Sequence, residues 1–280
     1  MRRIPWSVPA AMALSWAFAS LAPDAWNPLL GSRAEAAEVA PLSYPLPPDR
    51  IIPEKEPLLL PDLMTLPTAS VDVRNLPTGR VLRFSNTVWN GGEGPLELHG
   101  VTDVVTRRTR VVQRAYTAGG ATAEWNVGEF VWHPTHTHWH LDSFADYQLW
   151  SLNEFGERET LVAVSTKVSF CMIDTDVVDV DNELRPERRE YTGCGRGRQG
   201  LSVGWGDTYR SYLDGQSLPL GTAGDGLYAL VSIANPNGRL RESDYGNNQA
   251  VVYLALAGNR VTLLPWRALT RERCLSGGPC

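Results

Sequence analysis

Histidine is concentrated in one short stretch of the chain. Four of the five histidines among the 280 residues lie between positions 132 and 140. If this stretch is a β-strand, its side chains alternate between faces, so His136, His138 and His140 share one face at a spacing of about 6.6 Å. A twisted strand lets the outer rings lean inward, and three imidazoles can then hold a metal ion and leave one position open. We therefore predict a metal site formed by these three side chains; a histidine-rich surface strand is the alternative.

The ligand type narrows the choice of metal. The stretch contains no cysteine, aspartate or glutamate. Ligation by nitrogen alone suits copper or zinc better than calcium or magnesium. Residue types do not decide between copper and zinc.

A lysine is an exception in this sequence. Of the 26 basic residues, 24 are arginines, and Lys55 and Lys167 are the two lysines. Lys167 lies in a predicted strand whose even-numbered side chains face the core, which puts Lys167 on the opposite face with Ala163 and Ser165. A solvated lysine is the ordinary interpretation. An amine can, however, act as a nucleophile once it loses its proton, whereas a guanidinium keeps its charge.

The elements that position these residues are predicted to be strands. From position 71 onward, short runs of β-branched and aromatic residues alternate with turn signals, which is typical of an all-β domain. About 190 residues of this kind, with one long irregular insertion over 174–220, favour a single antiparallel β-sandwich with few or no helices. The predicted strands are Val71–Leu76, Arg80–Trp89, Pro95–His99, Arg110–Tyr116, Glu129–His133, His138–Leu152, Thr160–Phe170, Leu227–Ala234 and Gln249–Ala257.

The N-terminal quarter has a different composition. Residues 1–36 begin with Met1, Arg2 and Arg3 and continue with an apolar run and an A-x-A site at Ala34–Ala36, which predicts a cleaved secretory signal; an uncleaved membrane anchor is the alternative. Residues 37–69 are proline-rich and predict an extended arm or linker. The predicted catalytic β-sandwich then occupies residues 70–280. We expect the mature protein to lie outside the cytoplasm, secreted or periplasmic, with no membrane segment after signal cleavage.

The cysteines and the net charge fit an exported protein. Cys171, Cys194, Cys274 and Cys280 allow three disulfide pairings; the two local pairings are the simplest, and free buried thiols are the alternative. The formal charge of −5 becomes −6 when residues 1–36 are removed, because that segment carries one net positive charge. A mildly acidic protein argues against nucleic acid as a partner and is compatible with a cationic substrate.

Several motifs in collinear order resemble those of the lysyl oxidase family. The resemblance covers about 200 residues, from near Leu60 to Ala257. It implies a catalytic domain of the bacterial type. The matching motifs are His133–His140 followed by Asp142, Phe144 and Tyr147, then Lys167–Cys171, Gln199–Ser202, Asp207–Tyr209 and Glu242–Asn248.

The resemblance implies a copper amine oxidase that makes its own organic cofactor. His136, His138 and His140 would hold Cu(II), and Tyr209 and Lys167 would form lysine tyrosylquinone. Such an enzyme converts a primary amine or a peptidyl-lysine to an aldehyde with dioxygen, and releases ammonia and hydrogen peroxide. Asp207, two residues before the tyrosine, is the candidate base that removes the substrate proton. His133 would lie behind the ligands, with a plain packing role as the alternative.

The sequence also departs from the animal members of the family. They carry a cysteine where this chain has Thr135, and they carry further cysteines in the long insertion. Because those disulfide partners are absent here, we expect Cys171 to pair with Cys194, and Cys274 would pair with Cys280. We also expect this chain to lack the basic propeptide and accessory domains of animal members, which argues against assuming collagen or elastin as the substrate.

Two other functions compete with amine oxidation. A zinc hydrolase would need further histidines downstream, and none follows His140. A non-enzymatic copper-binding β-sandwich would need the histidines but neither Lys167 nor Tyr209. The second possibility stays open from the sequence. His99 matches no motif, and we expect it to be structural.

Overall fold

Short antiparallel strands make up the described part of the chain. In the computed structural model, the described residues are 56–165 and 169–265, and none of them is helical. The predicted signal, most of the proline-rich arm, Lys167, Cys274 and Cys280 lie outside them. Seventeen strands occur in the described ranges. They are β1 (Leu58–Leu59), β2 (Leu63–Thr65), β3 (Ala69–Leu76), β4 (Gly79–Asn90), β5 (Leu96–Thr102), β6 (Thr109–Thr117), β7 (Thr122–His133), β8 (His138–Leu141), β9 (Ala145–Leu152), β10 (Arg158–Val164), β11 (Asp176–Val177), β12 (Arg198–Leu201), β13 (Trp205–Tyr209), β14 (Ser217–Pro219), β15 (Gly226–Ala234), β16 (Gln249–Ala257) and β17 (Arg260–Leu264).

Three sheets share one hydrophobic core. The first has the order β12-β5-β6-β7-β8 with β1 added to β6, and the second has the order β10-β9-β15-β16-β17. The third has the order β11-β13-β4-β14, and β2 and β3 also pair with β4. Buried side chains from all three sheets, such as Leu98, Leu149 and Phe84, belong to the same core cluster. The all-β prediction is therefore confirmed.

Strand β4 shows how the sequence pattern sets the buried face. Its even-numbered residues from Leu82 to Asn90 are buried, whereas the odd-numbered residues over the same range are partly exposed. This alternation is the period of two that a strand imposes. Phe84 is fully buried and meets Tyr147 edge to face, with ring centroids 4.9 Å apart. Burying a side chain of this size stabilises the fold by about 1.5–3 kcal/mol.

Three predicted strands are wrong in extent. The strand predicted at Glu129–His133 begins at Thr122 in the structure. The predicted strand His138–Leu152 is interrupted at residues 142–144, where Ser143 has a φ of 57° and breaks the ladder. The predicted strand Thr160–Phe170 ends at Val164, and its predicted faces are reversed, because Ala163 is buried and Val164 is exposed. Beyond the end of β10, Phe170 instead forms an isolated bridge with Leu141.

The insertion predicted to be irregular contributes four short strands. Strands β11, β12, β13 and β14 all lie within residues 174–220 and pair with the first and third sheets. Periodicity is hard to detect in strands of two to five residues, so the sequence did not reveal them. The pairing fixes this long segment against the sheets on both sides of Tyr209.

Two buried carboxylates tie distant segments together. Glu242 accepts hydrogen bonds from the backbone N–H of Leu63 at 2.9 Å and from the side-chain amides of Asn235 and Asn248 at 2.6 and 2.7 Å. The motif Glu242–Asn248 therefore holds strand β2, which lies inside the segment predicted to be a proline-rich arm. Among the described residues, no helix is long and apolar enough to span a membrane.

Glu97 in β5 is the second of these carboxylates and holds the insertion. Tyr191 and Arg198 donate to its Oε2 at 3.0 and 2.8 Å, and Tyr116 donates to its Oε1 at 2.5 Å. His99 Nε2 lies 2.6 Å from Oε1, so this histidine is structural as expected. Burial alone would raise the pKa of Glu97, but the hydrogen bonds from these four side chains together outweigh it and hold that pKa well below its usual range.

We expect Glu97→Gln to lower the free energy of unfolding by about 3 kcal/mol at pH 7, because it removes the charge of a buried carboxylate that four side chains share. A carboxylate with a depressed folded-state pKa contributes its full stability above its unfolded pKa of about 4.3 and loses it as the pH falls further. The difference in the free energy of unfolding between wild type and Glu97→Gln should therefore become smaller in acid. Urea unfolding at pH 7 and pH 4 measures both effects.

Glu154→Gln is the matched control, since Glu154 is exposed in a turn. It should change the unfolding free energy by no more than about 0.5 kcal/mol. Equal stabilities of the Glu97 and Glu154 variants at pH 7 would contradict the proposed tethering role of Glu97.

Candidate metal centre and neighbouring tyrosine

The histidines lie on a hairpin and not along one strand. Strand β7 ends at His133 and β8 begins at His138, and these two residues face each other across the ladder. His136 lies in the turn between them, where Thr137 has a φ of 55° and donates its N–H to His133 O at 2.8 Å. The prediction that three histidines alternate along one strand is therefore wrong in its local geometry. The tight turn brings the rings together instead.

The rings are close enough to share one ion. The centroid of His140 lies 5.2 Å from that of His136 and 4.8 Å from that of His138, and the centroids of His136 and His138 are 5.5 Å apart. His136 Nδ1 and His140 Nε2 are separated by 3.3 Å. Two nitrogens that each lie about 2.0 Å from a tetrahedral ion are about 3.3 Å apart, so this pair fits a metal.

His133 belongs to the same cluster. One ligand atom from each of His133, His136 and His140 can be chosen so that all three lie within 4.8 Å of one another. The His133 ring stacks on that of His140 at 4.5 Å, and its Nδ1 lies 3.1 Å from Thr135 Oγ1. His133, His136 and His140 could thus hold one ion, and the imidazole of His138 lies beside that of His140. The predicted set has His138 in place of His133. The assignment of His133 to a supporting role stays a prediction.

His138 faces a second group of candidate ligands. Its ring nitrogen and the sulfur atoms of Cys171 and Cys194 also lie within 4.8 Å of one another. These two sulfurs form a disulfide, which confirms the expected pairing. A disulfide offers no thiolate to a metal, so among these three side chains the imidazole is the ligand that remains.

Tyr209 is buried close to the histidines. Its ring centroid lies 6.5 Å from that of His136, 6.4 Å from that of His140 and 4.2 Å from that of Phe170. The backbone N–H of Cys171 donates to its hydroxyl oxygen at 2.8 Å. Burial, and then the nearby charge of Asp207, raise the pKa of Tyr209 well above its usual value, so the phenol is neutral at pH 7.

A cavity joins the histidine cluster to this tyrosine. It has a volume of about 400 Å³, and its lining consists of Thr135, His136, His138, Cys171, Ile173, Thr175, Cys194, Asp207, Thr208, Tyr209 and Leu213. Asp207 and Tyr209 are two residues apart on β13, a spacing that puts their side chains on the same side of the strand. The structure therefore brings the predicted base, the predicted cofactor tyrosine and two of the predicted ligands to one cavity.

Three residues connect the histidines to the tyrosine, and the sequence analysis did not single them out. Phe170 exchanges two backbone hydrogen bonds with Leu141, at 2.7 and 3.0 Å, immediately after the last histidine. Ser169 Oγ lies 3.1 Å from His140 Nδ1. The Gln199 side chain donates to Trp139 O at 2.8 Å and accepts from Met172 N at 3.0 Å. All three occur in the quoted motifs, but residue type alone does not indicate a bridging role.

The disulfide should matter for the stability of this region, because it closes a loop between positions 23 residues apart and Cys194 O accepts from Trp139 N at 3.1 Å. We expect Cys171→Ala/Cys194→Ala to lose about 3 kcal/mol of unfolding free energy, since the unfolded chain regains the loop entropy. Urea unfolding under non-reducing conditions measures this. An unchanged stability of this variant would contradict the expectation.

Comparison with known proteins supports the motif resemblance. The sequence pattern of the family described as lysyl oxidase matches residues 97–265, more than half of the chain. Lysyl oxidase homolog 4 from Homo sapiens is 32% identical over 197 residues, which are 69% of this chain and 21% of the relative. Lysyl oxidase homolog 3A from Danio rerio is 36% identical over 135 residues, which are 48% and 17% of the two chains.

A third relative is Lysyl oxidase homolog 2 from Xenopus tropicalis, 29% identical over 198 residues, which are 69% of this chain and 21% of the relative. The chain thus spans no more than about a fifth of the length of these three relatives. They are animal proteins and give no support to the narrower expectation of a bacterial-type domain. The matched region contains the histidine hairpin, the disulfide and Tyr209. This chain belongs to the lysyl oxidase family.

Proposed function

We propose that this protein is a copper-dependent amine oxidase that converts primary amines to aldehydes and releases ammonia and hydrogen peroxide. The observation that carries the proposal is the single cavity lined by His136, His138, Asp207 and Tyr209. A hydrophobic cavity with a few convergent polar groups is typical of a small-molecule site. A peptidyl-lysine or a small amine can present the same primary amino group, and both are candidate substrates.

The histidine cluster supports copper as the ion. Imidazole nitrogen suits Cu(II), and we propose His136, His138 and His140 as its ligands. When present, the copper and a quinone made from Tyr209 and Lys167 would supply the electron acceptor for amine oxidation, with dioxygen as the final oxidant. Lys167 lies four residues before Cys171, whose N–H holds the Tyr209 hydroxyl. This short connection supports the pairing of Lys167 with Tyr209.

The other side chains prepare the tyrosine and the substrate. Phe170 packs against the Tyr209 ring with centroids 4.2 Å apart, and the Cys171 N–H fixes the direction of the hydroxyl group. We propose Asp207 as the base that takes the proton from the carbon next to the substrate amine, because it is buried and lines the cavity beside Tyr209. Its negative charge would also favour an ammonium group over a neutral competitor.

The disulfide supports a location outside the cytoplasm. Disulfides persist in oxidising compartments, and Cys171 with Cys194 forms one here. Together with the signal predicted for residues 1–36, this favours a secreted or periplasmic protein. A copper-binding β-sandwich without enzymatic activity is the second candidate, and the histidine cluster alone would be sufficient for it.

We expect one copper per chain after loading with Cu(II). Replacing any two of His136, His138 and His140 with alanine should abolish stoichiometric binding, because the remaining imidazole of the set cannot hold the ion alone. Metal analysis after gel filtration measures the copper content. His99→Ala is the matched control, since His99 lies on β5 and bonds to Glu97. A double variant that still binds one copper per chain would show that the replaced histidines are not the ligands.

Lys167→Arg tests the enzymatic proposal. It keeps the positive charge but removes the amine that would add to the tyrosine ring. The variant should bind copper normally, release no hydrogen peroxide with amine substrates and lack the Lys167–Tyr209 crosslinked peptide. Tyr209→Phe should fail in the same assays, because it has no phenol to oxidise. Peroxide detection and peptide mapping by mass spectrometry measure these outcomes.

Two matched controls separate these effects from general damage. Lys55→Arg replaces the other lysine of the chain, and Tyr228→Phe replaces a buried tyrosine whose hydroxyl donates to Gly224 O. Both should retain activity. An active Lys167→Arg protein with normal copper would refute the amine oxidase proposal and favour the copper-binding alternative.

A further inference from the structure

Ser169 is a buried hydroxyl that contacts a candidate metal ligand. Its Oγ lies 3.1 Å from Nδ1 of His140, and both side chains are buried. The other ring nitrogen of His140, Nε2, faces His136 Nδ1 at 3.3 Å. One side of this imidazole therefore points to a hydroxyl and the other to the centre of the histidine cluster.

The two nitrogens of a neutral imidazole have different roles. One carries a proton and donates, and the other has a lone pair that accepts a hydrogen bond or binds a metal. Nε2 can serve the ion only when the proton is on Nδ1, and the Nδ1–H group then needs an acceptor. A serine hydroxyl can be that acceptor. Histidine ligands commonly have such a partner, which fixes the tautomer and the ring orientation.

The backbone of Ser169 is held firmly in place. The next residue, Phe170, exchanges two hydrogen bonds with Leu141, which directly follows His140. The serine and the histidine are thus attached to the two sides of one short bridge. Their distance is set by backbone pairing and does not depend on a mobile loop tip.

We propose that Ser169 is a positioning residue whose hydroxyl oxygen accepts a hydrogen bond from the Nδ1–H group of His140 and thereby keeps the Nε2 lone pair directed at the metal. The inference rests on the metal site of the proposed function and does not require amine oxidation. It assigns a role to the serine of the Lys167–Cys171 motif. In this role the serine does not touch the metal or the substrate.

The tautomer can be measured directly in the metal-free protein. Long-range nitrogen–proton NMR correlations on uniformly 15N-labelled protein distinguish Nδ1–H from Nε2–H, and the spectrum of His140→Asn assigns the His140 signals. Wild type should show the proton on Nδ1 of His140. Ser169→Ala should shift the population toward Nε2–H, and Ser169→Thr should restore the wild-type pattern because it keeps the hydroxyl.

Metal affinity gives a second readout on the same proteins. Cu(II) is titrated against a chromophoric chelator in the absence of amine. Loss of a hydrogen-bond partner behind a histidine ligand weakens binding by about 10–100-fold, and we expect this range for Ser169→Ala. Ser169→Thr should retain most of the affinity. Ser232→Ala is the matched control, because it removes another buried hydroxyl, one that bonds to Thr65 at 3.0 Å.

The outcomes decide between a positioning role and plain packing. An Nε2–H tautomer in wild type, or unchanged tautomer and copper affinity in Ser169→Ala, would overturn the proposal. If circular dichroism shows that Ser169→Ala does not fold, the tautomer of His140 in the wild-type protein still tests the proposal. A chain that binds copper with the Nδ1–H tautomer but releases no peroxide would refute the enzymatic proposal and leave this inference supported.

Discussion

The site depends on the backbone bridge between Leu141 and Phe170. The two hydrogen bonds between these residues join β8, which carries the last histidine, to the segment around Phe170. This segment follows β10, which ends at Val164. Because the bridge fixes the backbone of Phe170, it also fixes Ser169 and Cys171 on either side. Ser169 meets the imidazole of His140, and the Phe170 ring packs on the tyrosine. The histidine cluster and the tyrosine are therefore positioned by one short element, although they are far apart in sequence.

The long insertion needs separate support, and buried carboxylates provide it. Glu97 reaches Tyr191 and Arg198, and Asp174 accepts from the backbone N–H groups of Tyr191 and Ser202. An unpartnered carboxylate would be costly at this depth, so these acids are compatible with folding only when the insertion lies in place. The polar contacts thus help to specify the position of the insertion, whose buried apolar side chains come mainly from residues 201–220.

The strand pattern and several of the residues that meet at the site were largely predictable, whereas the local geometry was not. The alternation in β4 and the apolar runs of β15 and β16 are long enough to reveal strands, and the four cysteines allow few pairings. The histidine hairpin was missed because a left-handed Thr137 leaves no mark in residue type. The strands of the insertion are too short for periodicity to reveal them. The bridging roles of Ser169 and Gln199 arise from contacts between distant segments, which a linear pattern does not encode.

The disulfide beside His138 has a consequence for the order of maturation. Before oxidation, Cys171 and Cys194 would be two soft sulfur ligands within reach of an imidazole nitrogen. Thiolates of this kind retain cuprous ions and compete with sites made of nitrogen. Once the sulfurs are joined, that competing site no longer exists, and the imidazoles are the ligands available at this end of the cavity. If the histidines hold copper, as proposed, thiol oxidation before metal delivery would therefore direct the incoming ion to them.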